Sequence, residues 1–199
     1  QNWQEINVST LAAGRTGSVY GRIFAIRDRG YAVCGHFRKG SFPHENGLWI
    51  SFSQDALHWG PPERISNANL FEPAVVSTEE EIIGLVRNGD SAQHSSYALL
   101  RASRRRLNWT ISESALSSSE STNRLPSPFL ATDPDDPSRL IALMTERAVP
   151  GNTPGRITLW TSGSDGVDWK HHGPVVNFPH ELGGLETDFG YPWMVKQKN

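Results

Sequence analysis

What this chain of 199 residues lacks narrows the field first. Cys34 is its single cysteine, so an internal disulfide and a thiolate metal cluster are both excluded. Cys34 lies in an apolar stretch, where a buried, inert thiol is expected rather than a nucleophile. No apolar run approaches the roughly 20 residues that span a bilayer. Neither sign of charge is in excess: 19 basic and 21 acidic side chains give a formal net charge of −2 and a pI near 6.4. A surface that tracks nucleic-acid phosphates is therefore not expected. Helical periodicity is missing too, since no such apolar pattern survives more than a few positions. The chain starts at Gln1 without a charged-plus-apolar leader, from which a processed or excised segment is expected.

What is present is turn-rich and aromatic. The sequence holds 18 Gly, 13 Pro and seven Trp, with 10% aromatics, too many for a disordered chain. Its length suits one sizeable core and not two ordinary domains. Three tryptophans close related turns: Ser53-Gln-Asp-Ala-Leu-His-Trp59, Ser103-Arg-Arg-Arg-Leu-Asn-Trp109 and Gly163-Ser-Asp-Gly-Val-Asp-Trp169. An apolar strand precedes each turn, at 48–50, 97–100 and 157–160. A second lies upstream each time, at 31–38, 82–87 and 140–147, and a third at 22–27, 73–77 and 128–132. Polar, edge-like stretches follow the tryptophans at 60–66, 110–114 and 170–177.

Four short strands repeated in this way predict an all-β chain, a β-propeller built of four-stranded blades. Full repeats are expected at 20–66, 72–116 and 126–177, within one domain over 1–199. Inner strands such as Ile82-Ile-Gly-Leu-Val86 and Leu140-Ile-Ala-Leu-Met144 are continuously apolar, as burial on both faces requires. Trp3 with 4–10 suits the end of a preceding blade, and 186–199, through Tyr191-Pro-Trp-Met-Val195, the inner strand of a following one. So few blades leave sheet faces uncovered, so a ring of about five or six is expected, completed by further blades of this or another chain.

The three turns resemble the Asp-box of sialidase-like (neuraminidase-repeat, BNR) propellers, whose form is Ser-x-Asp-x-Gly-x-x-Trp. The third keeps Asp165, Gly166 and Trp169 with the acid shifted by one place. The first keeps Ser53, Asp55 and Trp59 but is shorter, and the second has Arg105 where Asp belongs. Arg22-Ile23-Phe24 is similar to the Arg-Ile-Pro element of sialidases, with Phe in place of Pro. Glu72-Pro73, Arg87, Pro126-Ser127-Pro128 and Gly190-Tyr191-Pro192 fall where such propellers carry like elements. Five-bladed glycosidases are the nearest competing resemblance. The boxes bear on fold rather than chemistry: their Asp or Ser bonds nearby N–H groups while the Trp packs between sheets.

Strand alternation puts the box turns on one face and gathers the inner-strand entries and the second-to-third-strand loops on the other. Candidates for substrate binding there are Arg22, Arg38, Glu72, Arg87, Glu146, Arg147 and Glu186. Guanidinium groups pair with carboxylates in planar forks, so clustered arginines suit an anionic sugar, although ion pairing within the fold is the other reading. The resemblance implies an arginine triad, with Arg22 its first member, and an acid/base Asp in the first loop. That loop reads Phe42-Pro-His-Glu-Asn46, leaving Glu45 as the candidate acid/base, or His44 as a shuttle, unless both are merely exposed. The family's Tyr nucleophile and Glu activator suggest Tyr191, with Asp188 and Glu186 beside it, as catalytic candidates, against a packing role for Tyr-Pro.

Other polar clusters are expected to be passive. His171, His172 and His180 read as surface histidines, so no metal is assigned, and no cofactor is implied. Arg104-Arg105-Arg106 reads as a solvated run on the box face, and 112–121 as a Ser-rich connecting loop. Asn7 and Asn108 match the glycosylation acceptor pattern. The expectation is a sialidase-like glycoside hydrolase domain acting on a terminal, anionic sugar, secreted or on a cell or virion surface, with carbohydrate as its partner. A non-catalytic carbohydrate- or receptor-binding propeller and a structural scaffold remain as alternatives.

Overall fold

A computed structural model describes residues 5, 11, 17–37, 46–89, 96–117, 125–147, 155–178 and 190–195. Its regular elements there are twelve strands in three antiparallel sheets of four, each joined in chain order. The first sheet holds β1 (Gly17–Ile26), β2 (Gly30–Phe37), β3 (Gly47–Ser53) and β4 (Glu63–Ser66). The second holds β5 (Leu70–Ser77), β6 (Glu81–Asn88), β7 (Ser96–Ser103) and β8 (Thr110–Ser117). The third holds β9 (Phe129–Thr132), β10 (Arg139–Glu146), β11 (Arg156–Gly163) and β12 (Trp169–Asn177).

Side-chain alternation explains why the sheets stack face to face. Along β6, Ile82 and Val86 enter a core shared with the first sheet, beside Phe24, Cys34 and Ile50. Ile83 and Leu85, between them, enter a core shared with the third sheet, beside Leu130, Leu140 and Met144. All four side chains are fully buried, each worth about 1.5–3 kcal/mol by transfer from water. A strand covered on both faces has to be apolar at every position, which is the pattern of 82–86. The outer strands β4, β8 and β12 carry mostly exposed or half-buried residues.

The turns before the tryptophans are held as their side chains dictate. Asp55 Oδ1 accepts the N–H groups of Leu57 and His58, both at 2.8 Å, and Ser53 Oγ lies 3.1 Å away. Hydrogen bonding to the His58 ring, then to the His58 and Leu57 N–H groups, holds the Asp55 carboxyl well below the carboxylate range. In the third turn Asp165 accepts the Val167 N–H at 3.1 Å, and Trp169 donates to Gly166 O at 2.8 Å. The middle turn, with Arg105 in place of the acid, closes through a backbone bond from Leu107 to Ser103 O at 2.8 Å. Trp109 and Trp169 pack against the two inter-sheet cores, and Trp59 against a cluster on the far face of the first sheet.

Two expectations change here. Residues 190–195 form no strand, because among the described residues no ladder partner meets them, and Trp193 and Val195 are exposed. Ser112–Ser117 belongs to β8 rather than to a loop, since β7 supplies its pairing. The expected terminal strand at 4–10 with Trp3 lies, apart from Glu5, outside the described residues, as do Asn7, His44 and His180. Among the described residues the three sheets form an open stack without ring closure.

Candidate functional site

The first strands of neighbouring sheets touch, β1 against β5 and β5 against β9. Both β1 and β5 are bulged, β1 between Tyr20 and Phe24 and β5 between Phe71 and Ala74. A bulge re-aims side chains, and these two place Arg22 and Glu72 at matching points of the repeat. Glu72 takes a left-handed backbone, φ 55°, although it is neither Gly nor Asn and precedes Pro73. Such a conformation persists only where the surroundings impose it. His36 supplies part of that hold: its Nδ1 accepts the Glu72 N–H at 3.2 Å, which puts the ring proton on Nε2. His36 is itself buried and meets Phe71 edge to face.

The Glu72 carboxylate is the hub. Arg87, opposite Phe71 near the end of β6, donates to Oε2 at 3.0 Å. Tyr191, also at positive φ (64°), donates its hydroxyl to Oε1 at 3.1 Å. Its ring lies 5.9 Å from that of Tyr20. Ser127 is fully buried beside Tyr20 and Glu72, its hydroxyl short of hydrogen-bond geometry to either. Tyr97, opposite Arg87 on β7, donates to Pro126 O at 2.8 Å and so fixes the turn that carries Ser127.

Electrostatics assigns the protonation states. Burial works to raise the Glu72 pKa, yet the adjacent Ser127 hydroxyl and the direct bonds from Arg87 and Tyr191 outweigh it and hold the carboxyl below its ordinary value. Glu72 is thus an anion at neutral pH. Burial pushes the Tyr20 phenol up to about 12, so it stays neutral there. Burial also raises the Tyr97 phenol well above its usual value. Arg22 is different: its guanidinium lies over the Phe129 ring at 5.0 Å and 5.8 Å from the Trp193 ring. Burial lowers its pKa, and among the described residues it has no carboxylate partner. An open cleft of about 720 Å³ adjoins it, lined also by Asp133, Asp135, Ile141, Trp193 and Val195.

Of the expected site residues, Glu72, Arg87 and Tyr191 come together directly. Arg22 stands apart, on the aromatic pair. Glu146 is buried and engaged by Arg156 through Nε at 3.2 Å and Nη2 at 3.0 Å. Arg147 follows β10 and its guanidinium lies near Gly190. Arg38, Glu45, Glu186 and Asp188 lie outside the described residues, so the pairing described for Tyr191 is with Glu72. His36, Tyr20, Tyr97 and Arg156 were not singled out in the sequence. His36, a polar residue inside the apolar run of β2, is the one that pattern could have flagged. His171 and His172 lie exposed on β12, one stacked on Trp160 at 4.4 Å and the other 2.7 Å from Thr161 Oγ1.

No family model matches this sequence, and no curated protein matches it. Among solved structures, the phage phi92 endosialidase superposes with a TM-score of 0.55 at 17% identity over 85% of this chain. The endo-arabinase of Bacteroides thetaiotaomicron superposes with a TM-score of 0.50 at 16% identity over 80% of it. Both are β-propeller-type enzymes. The chain has a β-propeller-type fold. It spans 28% of the first of those proteins and 61% of the second, and at such identities the likeness is one of fold.

Proposed function

We propose that this chain carries the reaction centre of a sialidase-like glycoside hydrolase acting on a terminal, anionic sugar. The observation that carries the reading is the Tyr191 hydroxyl bonded to Glu72 Oε1 at 3.1 Å while Arg87 holds Oε2. Sialidases depart from two-carboxylate chemistry by using a tyrosine nucleophile. In this reading Glu72, kept ionised by its neighbours, accepts the phenol proton as Tyr191 Oη attacks the anomeric carbon and the glycosidic bond breaks. An acid in the first loop, for which Glu45 is the candidate, protonates the leaving oxygen. Water then returns the sugar from Tyr191. Arg22 is the anion anchor, with Arg38 and Arg147 as further candidates, while Glu146 orients Arg156 rather than touching the sugar. Glu186 and Asp188 are left as substrate contacts near Tyr191.

The glycan-acting names of the two superposed enzymes support a carbohydrate substrate, and further blades completing a ring of about five or six belong to the same reading. So does a secreted or surface location. Hydrolysis of a fluorogenic sialoside by the full-length protein tests it. Tyr191→Phe and Glu72→Gln are each expected to lower kcat by about 10²-fold or more, and Arg22→Ala to raise KM. Unchanged turnover in Tyr191→Phe removes the tyrosine from the mechanism. A non-catalytic carbohydrate-binding module is the second reading, favoured by the aromatic faces that already cover the Arg22 guanidinium. No turnover, with glycan-array binding that Arg22→Ala abolishes, selects it.

A further inference from the structure

The opposite face of the molecule carries a charge feature that the reaction centre leaves unused. Between the first and second sheets lies a cleft of about 480 Å³ lined by Arg27, Asp28, Arg29, Arg104 and Arg105. The first three come from the β1–β2 turn and the other two from the β7–β8 turn, so separate sheets converge on it. Among the described residues none of the four arginines pairs with a carboxylate. Four guanidinium groups around a single acid, Asp28, give the cleft a net positive charge that favours an anion.

Two of these arginines are held in place. Arg29 Nη2 donates to Arg105 O at 3.1 Å, its guanidinium lies 5.8 Å from the Phe52 ring centre, and Gln54 donates to Arg29 O at 3.2 Å. Arg104 Nη1 donates to Thr78 O, and its backbone N–H to Glu80 O, both at 3.1 Å. One edge of each fork is thereby anchored and the other N–H groups remain for a ligand. The next cleft on the same face, between the second and third sheets, measures about 430 Å³ and is acidic, with Glu79, Glu80, Glu81 and Asp165. A long polyanion crossing the face would meet those carboxylates. The net charge of −2 also disfavours a nucleic-acid backbone, and Arg29 already covers the nearby ring on which a base would stack.

We propose that the Arg27–Arg29–Arg104–Arg105 cleft is a binding site for a compact ligand bearing adjacent sulfate or phosphate ester groups. Tetrahedral oxyanions offer many acceptors in a small space and match the guanidinium fork. The test is calorimetric titration of the full-length protein at low salt with a trisulfated disaccharide, with fructose 1,6-bisphosphate and with an uncharged disaccharide. Either anionic probe, or both, is expected to bind saturably and to weaken as salt rises, whereas the uncharged sugar gives no binding. A preference for the sulfated sugar assigns the ligand to glycans, and the reverse preference to phosphorylated metabolites.

The double variant Arg27→Gln, Arg105→Gln keeps the Arg105 carbonyl and is expected to weaken binding by about tenfold or more. Asp28→Asn removes the lone acid at a left-handed position, φ 69°, that Asn tolerates, and is expected to tighten binding. A misfolded protein would not gain affinity. Absence of saturable binding by both anionic probes up to about 5 mM overturns the proposal. So does unchanged affinity in the double variant, or affinity that Asp28→Asn leaves equal or lowers.

Discussion

Burial of Glu72 favours its neutral form, and Ser127, Arg87 and Tyr191 together favour the anion. Of these three, Arg87 supplies the opposite charge, its guanidinium in direct contact at 3.0 Å. Removing one member of a buried pair strands the other, so Arg87→Ala is expected to cost about 3 kcal/mol near neutral pH. The pH dependence follows from the direction of the shift. A carboxyl depressed in the folded state contributes stability above its unfolded pKa of about 4.3, and loses that contribution as pH falls through the folded value. Urea midpoints of wild type and Arg87→Ala should therefore differ more near pH 7 than near pH 3. A gap that stays constant across that range would mean that Arg87 acts by packing alone. That Arg87 and Glu72 fall on one rim of the stack was legible because their strands were. The partner of Tyr191 was not, since Glu72 lies 119 positions away along the chain.

At the scale of the strand, alternation decides what can change. Gly35 in β2 has no room for a side chain: a Cβ there would lie 2.3 Å from Trp49 Cζ2 and 2.3 Å from Ser18 O. Gly35→Ala therefore forces the β1–β2–β3 ladder apart and is expected to cost about 2–3 kcal/mol in urea denaturation. A loss below about 0.5 kcal/mol would show that Trp49 can swing aside without penalty. The tryptophan turns belong to this scale as well. The first and third of them set where β3 and β11 end, because Asp55 and Asp165 can only close a turn locally. The middle turn forms without its acid, so turn chemistry there is supplemented by the pairing of β7 with β8.

For the molecule as a whole, the stack behaves as one unit only if its cores are coupled through the second sheet. Cys34 offers a probe, being fully buried in the core between the first two sheets with its thiol pushed far up by burial. Native protein should leave it unreactive to Ellman's reagent, while unfolded protein reacts. Leu85→Ala empties the other core and is expected to cost about 2–5 kcal/mol. Coupled sheets require it to increase Cys34 labelling in proportion to the rise in unfolded population. Labelling unchanged by Leu85→Ala would mean that the first sheet opens independently of the third. The sequence alone determined most of the strands, their antiparallel order and the tightly turning tryptophan motifs, because period-two burial and turn hydrogen bonds act over a few residues. Only the tertiary structure decided that Tyr191 answers to Glu72, that Arg22 rests on Phe129, and that Arg27 and Arg29 meet Arg104 and Arg105. Those meetings depend on how separate sheets stack, and no local periodicity encodes the distance between residues on different sheets.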